Sequence, residues 1–258
     1  MVTPLLGWRV LVPRGGAWGD GIAAQLRAQG AEPVIAPLIT FAPSSEPERL
    51  ARELEALQAG SYGWLVVTSA TTVEVLARHG VRVPPTTRVA AVGDGTAQAL
   101  HAAGYSVDFV PGDHSARGLV AEWPGTAEQG AVLIPQSAIA EPTLVRGLTA
   151  RGLEVRSVPA YRTVGVTAGA TVAADIAAGR IGAIVVSSGS IARQLAQQFA
   201  PLPDDTVIVC IGPRTAVDAR EAGLPVHRIA EERSAAGLVR ALVDHVTNRD
   251  DSRPAVTS

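Results

Sequence analysis

The sequence predicts an α/β fold with parallel sheets, in which one unit of structure occurs twice along the chain. The first observation is that short, continuously apolar runs alternate with segments of helical periodicity, which is typical of parallel strands covered by helices on both faces. The second is a repeated segment, in which an apolar run ends at a glycine and a helix follows. Its two copies are Val89–Gly104 and Val207–Gly223.

The glycine in each copy marks a turn from a strand into a helix. Gly93 and Thr96 of the first copy precede Gly212 and Thr215 of the second by 119 residues in both cases (212 − 93 and 215 − 96). A helix that follows such a turn leaves backbone N–H groups without partners, and anions bind readily there. We therefore expect one anion-binding turn in each half of the chain, with the second helix beginning near Thr215.

The first half begins with a strand at Arg9–Arg14 and a helix that we expect to end at Gly30. Prolines make Pro33–Pro43 extended, because they forbid a helix. Ser45 to Glu48 has the composition of a capping box with an early proline, so a helix is expected from there. The next predicted elements are strand Trp64–Ser69, helix Thr71–Arg78, the Val89–Gly104 unit, strand Val107–Val110 and helix Ser115–Glu122.

The second half repeats these elements over most of its length. Ala131–Gln136 follows Arg9–Arg14 by 122 residues (131 − 9), and later elements follow their counterparts by 119. The segments SARGLV, from Ser115, and SAAGLV, from Ser234, differ at one position. The period has the size of a domain, so we interpret it as a duplication rather than a solenoid. The polar tail, residues 248–258, is expected to be disordered.

Composition excludes several classes of protein. A net charge of −2 argues against broad nucleic-acid binding, for which a basic face is expected. Cys210 is the single cysteine, so no disulfide forms within the chain and a reducing compartment is favoured. No apolar run approaches the roughly 18 residues of a membrane span, and the N-terminus lacks the features of a signal peptide. We expect a cytoplasmic protein that binds neither nucleic acid nor membrane.

Several cofactor and catalytic motifs are missing. The 258 residues include no lysine, which excludes a Schiff base, a pyridoxal phosphate anchor and a P-loop lysine. Gly93-Asp94-Gly95 resembles the start of a dinucleotide motif, but Gln98 replaces the third glycine. No hydrolase elbow is present, and the five histidines lack metal-ligand spacing. We expect no metal and no cofactor.

Six segments resemble the uroporphyrinogen-III synthase family of tetrapyrrole biosynthesis, in the family's order. Together they run from Arg9 to about Val239. The segments are RVLVPR at Arg9–Arg14, WLVVTSATTV at Trp64–Val73, VAAVGDGTAQAL at Val89–Leu100, VPAYRT at Val158–Thr163, VVSSGS at Val185–Ser190 and CIGPRTA at Cys210–Ala216.

The resemblance implies two flavodoxin-like parallel-sheet domains, related by internal duplication and joined by a two-stranded extended hinge. The repeat alone would also fit two tandem halves, but the family shares the chain crosswise. Domain 1 would combine residues 1–36 and 165–258, and domain 2 would be residues 42–157. The linkers would be residues 35–41 and 158–164.

The resemblance also implies a reaction. The family closes linear hydroxymethylbilane into uroporphyrinogen III, inverting the last pyrrole ring and losing water, without metal or cofactor. Tyr161, in VPAYRT, matches the family's cleft-facing tyrosine and would be the catalytic group, donating a proton to the leaving hydroxyl. The alternative is a tyrosine that only packs between domains.

The acetate and propionate arms of such a substrate need hydrogen-bond donors. Turn glycines, helix N-termini, hydroxyl groups and one arginine would supply them, although each Ser or Thr could equally be an ordinary helix cap. In this sequence Pro13 and Gly15 flank the arginine, where the family has threonine and proline, and Gln136 replaces it in the second copy. The candidates are Arg14, Thr68, Ser69, Gly93, Thr96, Ser137, Ser188, Ser190, Gly212 and Thr215.

Two functions thus remain in view. One is the enzyme, a monomer acting on a linear tetrapyrrole polycarboxylate, with a transient contact to hydroxymethylbilane synthase. The other is a non-catalytic module of the same fold that binds a tetrapyrrole or a small acid for regulation, although no output domain is expected after Val246. A periplasmic solute binder is a weaker alternative, because no export signal is present.

Overall fold

A computed structural model describes residues 3–250 of the protein. The described chain divides into two compact units. Unit 1 consists of residues 3–40 and 164–250, and unit 2 of Phe41–Thr163. The chain therefore leaves unit 1 and later returns to it.

Strands and helices alternate along most of both units, as the periodicity predicts, except that α5 follows α4 directly. The strands are β1 (Arg9–Val12), β2 (Glu32–Ile35), β3 (Ile39–Pro43), β4 (Tyr62–Val67), β5 (Arg88–Ala91), β6 (Ala131–Ser137), β7 (Val155–Gly165), β8 (Ala183–Val186), β9 (Val207–Cys210) and β10 (Arg228–Ile229). The helices are α1 (Gly16–Ala28), α2 (Pro47–Gln58), α3 (Ala70–Arg78), α4 (Asp94–Ala102), α5 (Ala116–Ala121), α6 (Thr143–Ala150), α7 (Ala170–Ala177), α8 (Gly189–Phe199), α9 (Pro213–Glu221) and α10 (Ala235–Asp250).

Unit 1 is built on a sheet with the strand order β10-β9-β8-β1-β2. These neighbouring strands pair in parallel. Residues of β1 alternate between two cores, because successive side chains point to opposite faces. Val10 and Val12 pack with α1 and α10, whereas Leu11 packs with α8 and α9. Helices thus cover both faces, which explains why the strands are apolar throughout.

Unit 2 is built on a second sheet, with the strand order β3-β7-β6-β4-β5. The pairs β4–β5, β4–β6 and β6–β7 are parallel. Leu65 and Val67 of β4 face α2, α3 and α4, whereas Trp64 and Val66 face α5 and α6. The α/β fold is therefore confirmed, and the strand pairs named here for the two units are parallel.

Leucines at helical spacing and a glycine determine where α2 packs and ends. Leu50, Leu54 and Leu57 are 2%, 3% and 0% exposed, as their shared face predicts. Gly60 follows at φ 82°, a left-handed conformation that costs glycine little and stops the helix. Gly30, at φ 89°, ends α1 in the same way.

The predicted capping box at Ser45 is wrong. The N-cap of α2 is Glu46, and no side chain caps it. The neighbouring Ser44 binds instead: its hydroxyl accepts from the Glu46 N–H at 2.9 Å and donates to the Pro159 carbonyl at 2.6 Å. A contact between distant segments therefore decides how this helix begins.

Three other boundaries differ from the prediction. The segment Val107–Val110 forms only an isolated bridge from Phe109 to Ala90 rather than a strand. Helix α9 begins at Pro213, two residues before Thr215, because Gly212 is its N-cap. Helix α10 continues to Asp250, so residues 248–250 of the predicted tail are helical, and its remainder, 251–258, lies outside the described residues.

Candidate functional site

In unit 2, the predicted site residues lie on four neighbouring strands, at the level where β4, β5 and β6 end. Thr68 and Ser69 follow β4, Gly93 follows β5, Ser137 ends β6, and Tyr161 lies in β7. The order β7-β6-β4-β5 places these positions along one edge of the sheet. Helices begin at this edge of a parallel sheet, which makes it the usual place for ligands.

Tyr161 and Ser69 are the predicted residues that the structure brings into direct contact. The Tyr161 hydroxyl lies 3.1 Å from Ser69 Oγ, and either oxygen can donate. The Phe41 ring meets the Tyr161 ring edge-on, with centroids 5.3 Å apart. Ser137 is the register partner of Tyr161 in the adjacent strand. Tyr161 is 8% exposed, so its orientation is fixed by packing as well as by the hydrogen bond.

Ser69 links this tyrosine to the first turn of α3. As the N-cap, its Oγ accepts from the Thr72 N–H at 3.2 Å and lies 3.1 Å from Thr72 Oγ1. Ser69 is thus both an ordinary cap and the partner of Tyr161. Three hydroxyl groups in sequence can pass a proton along without any of them carrying a lasting charge.

A cavity of about 270 Å³ lies beside Tyr161 within unit 2. Ligand pockets generally measure about 300–1,000 Å³, so this cavity matches one part of a tetrapyrrole rather than the whole. Its polar lining was not predicted, although Thr71, Glu74 and Arg78 share one face of α3 at helical spacing. The other polar or aromatic lining residues include Phe41, Ser44 and His79.

The two glycine turns have the same geometry in the two units. Gly93 and Gly212 are the N-caps of α4 and α9, with φ, ψ of −174°, 171° and −176°, 172°. This extended backbone is open to any residue, so the glycines are not required by conformation. The third residue of each helix is a threonine, Thr96 in α4 and Thr215 in α9, and both are 8% exposed. Gly93 and Thr96 lie on the β5 side of Ser69, away from β7 and Tyr161.

In unit 1, the predicted residues lie at the carboxyl ends of three neighbouring strands. Arg14 follows β1, Ser188 and Ser190 follow β8, and Gly212 with Thr215 follows β9. Ser188 caps α8, since its Oγ accepts from the Ile191 N–H at 3.3 Å. The Arg14 guanidinium lies 5.1 Å from the Trp18 ring centroid, a cation–π distance.

An ion cluster at the same edge of unit 1 was not predicted. The Asp218 carboxylate, 12% exposed, lies 3.1 Å from Arg214 Nη2 and 3.9 Å from Arg193 Nη1. Arg214 is part of the CIGPRTA segment, but only its neighbours Gly212 and Thr215 were predicted to belong to the site. The sequence feature that indicates the cluster is Gly189, the first residue of α8, because a Cβ atom there would meet the Asp218 carboxylate.

Among residues 3–250, no group of three or more His, Cys, Asp or Glu side chains is arranged to hold a metal ion. Over the same residues, no helix combines the length and hydropathy needed to cross a bilayer.

Comparisons with known proteins agree on one family. A family model described as uroporphyrinogen-III synthase HemD matches residues 20–240. The chain is 30% identical over 256 residues to the porphyrin biosynthesis protein HemD of Ruminiclostridium josui, covering 95% of this chain and 50% of that protein. It is 30% identical over 168 residues to the uroporphyrinogen-III synthase of Synechococcus elongatus, covering 62% of each. The match thus spans about half the length of the first relative and about three fifths of the second.

Solved structures show the same fold. A mutant uroporphyrinogen III synthase of Thermus thermophilus superimposes with a TM-score of 0.65 at 18% identity, covering 93% of this chain and 99% of that one. The uroporphyrinogen-III synthetase of Helicobacter pylori gives 0.62 at 15%, covering 92% and 98%. The family model extends over most of the sequence, and the chain belongs to the uroporphyrinogen-III synthase HemD family.

Proposed function

We propose that the protein is a uroporphyrinogen-III synthase, which cyclises hydroxymethylbilane with inversion of the last pyrrole ring and loss of water. Family membership supports the reaction. The observation that carries the mechanism is the pair of hydroxyl groups of Tyr161 and Ser69, 3.1 Å apart beside a cavity. The reaction involves no change of oxidation state, so its proton transfers need only groups of this kind.

Tyr161 acts as the general acid. Its phenol donates a proton to the hydroxyl group of the substrate's hydroxymethyl carbon, and the carbon–oxygen bond breaks with release of water. The freed carbon bonds to the α-carbon of the last pyrrole that already carries the methylene bridge, and the older bond from that α-carbon to the bridge then breaks. The released methylene bonds to the other α-carbon of the same ring, which inverts the ring and releases that carbon's proton, so the proton balance is restored. Ser69 positions the phenol through their hydrogen bond, and the Ser69 hydroxyl is in turn within hydrogen-bond distance of the Thr72 hydroxyl. A general acid contributes about 10²–10⁴-fold to a rate.

The substrate's carboxylates bind to the strand edges of both units. Helix N-termini, together with hydroxyl groups, stabilise an anion without a concentrated positive charge. In unit 1 the carboxylate ligands are Arg14, Ser188, Ser190, Gly212 and Thr215. In unit 2 they are Thr68, Ser69, Gly93, Thr96 and Ser137. Each hydrogen bond to a charged group is worth roughly 1.5–3 kcal/mol, so several suffice to fix a flexible tetrapyrrole.

The duplication and crosswise domains are part of the same proposal. The strand orders support the duplication. An offset of 119 to 122 residues relates each strand of the unit 1 sheet to a segment of unit 2, and the related segments are neighbours in the same order in both sheets. In unit 1 the order is β10, β9, β8, β1 and β2, and in unit 2 it is Phe109, β5, β4, β6 and β7. The compact units change at residues 40/41 and 163/164, next to the ends of linkers 35–41 and 158–164. The linkers form a two-stranded hinge between two flavodoxin-like domains. Domain 1 consists of residues 1–36 and 165–258, and domain 2 consists of residues 42–157. The protein acts as a cytoplasmic monomer and receives its substrate from hydroxymethylbilane synthase.

The deciding experiment supplies hydroxymethylbilane from a coupled synthase and separates the product isomers. Type III uroporphyrinogen is expected in excess over the enzyme-free control, which closes spontaneously to type I. Type I alone would overturn the proposal. Tight binding of a tetrapyrrole in calorimetry, without any type III product, would identify a non-catalytic binding module instead.

A further inference from the structure

The carboxylate of Asp218 occupies an unusual position, directly against the first residue of α8. A Cβ atom built on Gly189 would lie 2.0 Å from Asp218 Oδ2 and 2.6 Å from its Cγ. Position 189 therefore holds a glycine because the aspartate fills the space where a side chain would begin. Gly189 lies between the predicted site residues Ser188 and Ser190.

Two arginines share this carboxylate. Arg214 reaches Oδ1 from α9 at 3.1 Å, and Arg193 reaches it from α8 at 3.9 Å. Their side chains are 66% and 55% exposed, whereas that of Asp218 is 12% exposed. The cluster thus has a largely shielded negative centre and two exposed positive groups.

The second copy of the repeat shows that the fold does not require this cluster. Positions 119 residues before Gly189 and Asp218 are Ala70 and Ala99, so a methyl group stands where the carboxylate is packed in unit 1. Positions corresponding to Arg193 and Arg214 are Glu74 and Gly95. All four residues change together. Since shielding a carboxylate from water costs free energy and alanine serves at the equivalent position of the other copy, stability alone does not account for the cluster.

We propose that Arg193 and Arg214 bind a carboxylate arm of the substrate, and that Asp218 is a positioning residue that holds both guanidinium groups at the edge of unit 1. This inference rests on the proposed function, which supplies a polycarboxylate. A guanidinium has five N–H donors, so the single 3.9 Å contact of Arg193 leaves it able to bind a second carboxylate. Unit 1 then adds two guanidinium groups to the carboxylate donors at its strand edge, and unit 2 carries Tyr161, which transfers the proton.

The test compares Arg193→Gln, Arg214→Gln and the double variant in the full chain. Each single variant is expected to raise KM about tenfold with kcat within about twofold of wild type, since a lost charged hydrogen bond weakens binding by about that factor. The matched control is Arg180→Gln. Arg180 is 54% exposed and bonded to the equally shielded Asp175, but it precedes β8 and lies at the opposite edge of the same sheet.

A second readout separates positioning from simple charge. Removing a negative group would lower the KM for a polyanion if only net charge mattered. Asp218→Asn is instead expected to raise KM several-fold, because the arginines lose their anchor. Uroporphyrin III, an inert octacarboxylate, is titrated in parallel, and the Arg variants should bind it more weakly with a smaller salt dependence.

The outcomes for this inference and for the proposed function are distinguishable. A wild-type protein that makes only type I product refutes the proposed function. An active wild type whose Arg193 and Arg214 variants match Arg180→Gln in KM and in porphyrin binding refutes the carboxylate site. A lowered KM in Asp218→Asn refutes the positioning role.

Discussion

The Tyr161 hydroxyl lies 3.1 Å from Ser69 Oγ, and this contact joins residues 92 positions apart in the sequence. Because Ser69 also caps α3, the phenol is tied to a helix terminus rather than to a loop. Its position is therefore set by the strand that carries it and by the helix that it touches. A phenol held from two sides meets the geometric demand that acid catalysis places on a proton donor.

Tyr161→Phe tests the acid directly. The variant keeps the ring against Phe41 and removes only the hydroxyl, so we expect kcat to fall by about a hundredfold, the lower end of a general acid's contribution. Steady-state formation of type III product measures this. The free energy of unfolding should change by about 1 kcal/mol or less, as for one hydrogen bond.

Tyr105→Phe is the matched control for that variant. Tyr105 belongs to the same unit and donates to the Val81 carbonyl at 3.0 Å, away from the predicted site. It should lose similar stability and keep its full turnover. Equal activity of the two variants would remove Tyr161 from the mechanism.

A double-mutant cycle tests the packing of Gly189 against Asp218. An alanine in a helix is favoured over glycine by up to ~1 kcal/mol, but Gly189→Ala must displace the carboxylate and lose its arginine contacts. We expect Gly189→Ala to stabilise the protein only when Asp218 is also alanine, with a coupling free energy of about 1 kcal/mol or more. Urea unfolding of the four proteins measures it.

Gly95→Ala gives the reference for that cycle. Gly95 lies in the first turn of α4, and nothing lies within 4 Å of a Cβ built there. Gly95→Ala should therefore raise the free energy of unfolding through the higher helix propensity of alanine, without the steric cost expected at Gly189. Additive effects of Gly189 and Asp218 would contradict the contact.

Cys210 provides a test at alkaline pH. Burial raises the pKa of its thiol to about 11, from an ordinary 9.0. At pH 8 the folded protein should therefore contain about a hundredfold less thiolate than the unfolded chain and react correspondingly slowly with a thiol reagent. Because the folded thiol keeps its proton longer, this contribution to stability is complete below pH about 9 and declines as the pH rises toward 11.

Rapid labelling of native Cys210 at pH 8, at the rate found in urea, would contradict the burial. The Cys210→Ala variant provides the control for stability. Its free energy of unfolding should lack the decline that the thiol causes between pH 9 and 11, while the alkaline titration of other groups stays common to both proteins.

Asp175 provides a test at acid pH. Hydrogen bonds from Arg180 and then Arg9 hold the pKa of its carboxyl below the ordinary value. Since the folded pKa is depressed, the stabilisation is present above pH about 4 and is lost as the pH falls through the folded pKa. We expect wild type to melt higher than Asp175→Asn at pH 7, and the difference to shrink below pH 4. A difference that is independent of pH would show that the charge has no part in it.

The strand and helix pattern could be predicted because it is locally encoded. Continuous apolar runs such as Val207–Cys210 and the leucine face of α2 follow from period and burial alone. The start of α2 could not be predicted, because two adjacent serines are equivalent until Pro159 accepts a hydrogen bond from one of them. Val107–Val110 is extended in sequence pattern, but pairing beyond one bridge depends on geometry that four residues do not specify.

The predicted site residues share strand ends, which the repeat indicates without a structure. The sequence does not indicate which of them touch. Ser69 was proposed as a carboxylate ligand, and its contact with Tyr161 depends on how β4 and β7 are ordered in the sheet. The Asp218 cluster had one visible signal, since Gly189 and Ala70 differ between copies that otherwise share a capping serine. Reading that difference requires knowing that Asp218 lies beside it.

The discontinuity of unit 1 has a consequence for synthesis on the ribosome. Strand β1 lies inside its sheet, and its Val10 pairs with Ala183, which is made 173 residues later (183 − 10). At about 5–20 residues per second, β1 waits roughly 10 to 35 s for that partner. Unit 2, continuous from Phe41 to Thr163, emerges completely during this wait and can fold first. Until then the edge of β1 that pairs with β8 is uncovered, and an uncovered apolar strand edge can pair with another chain.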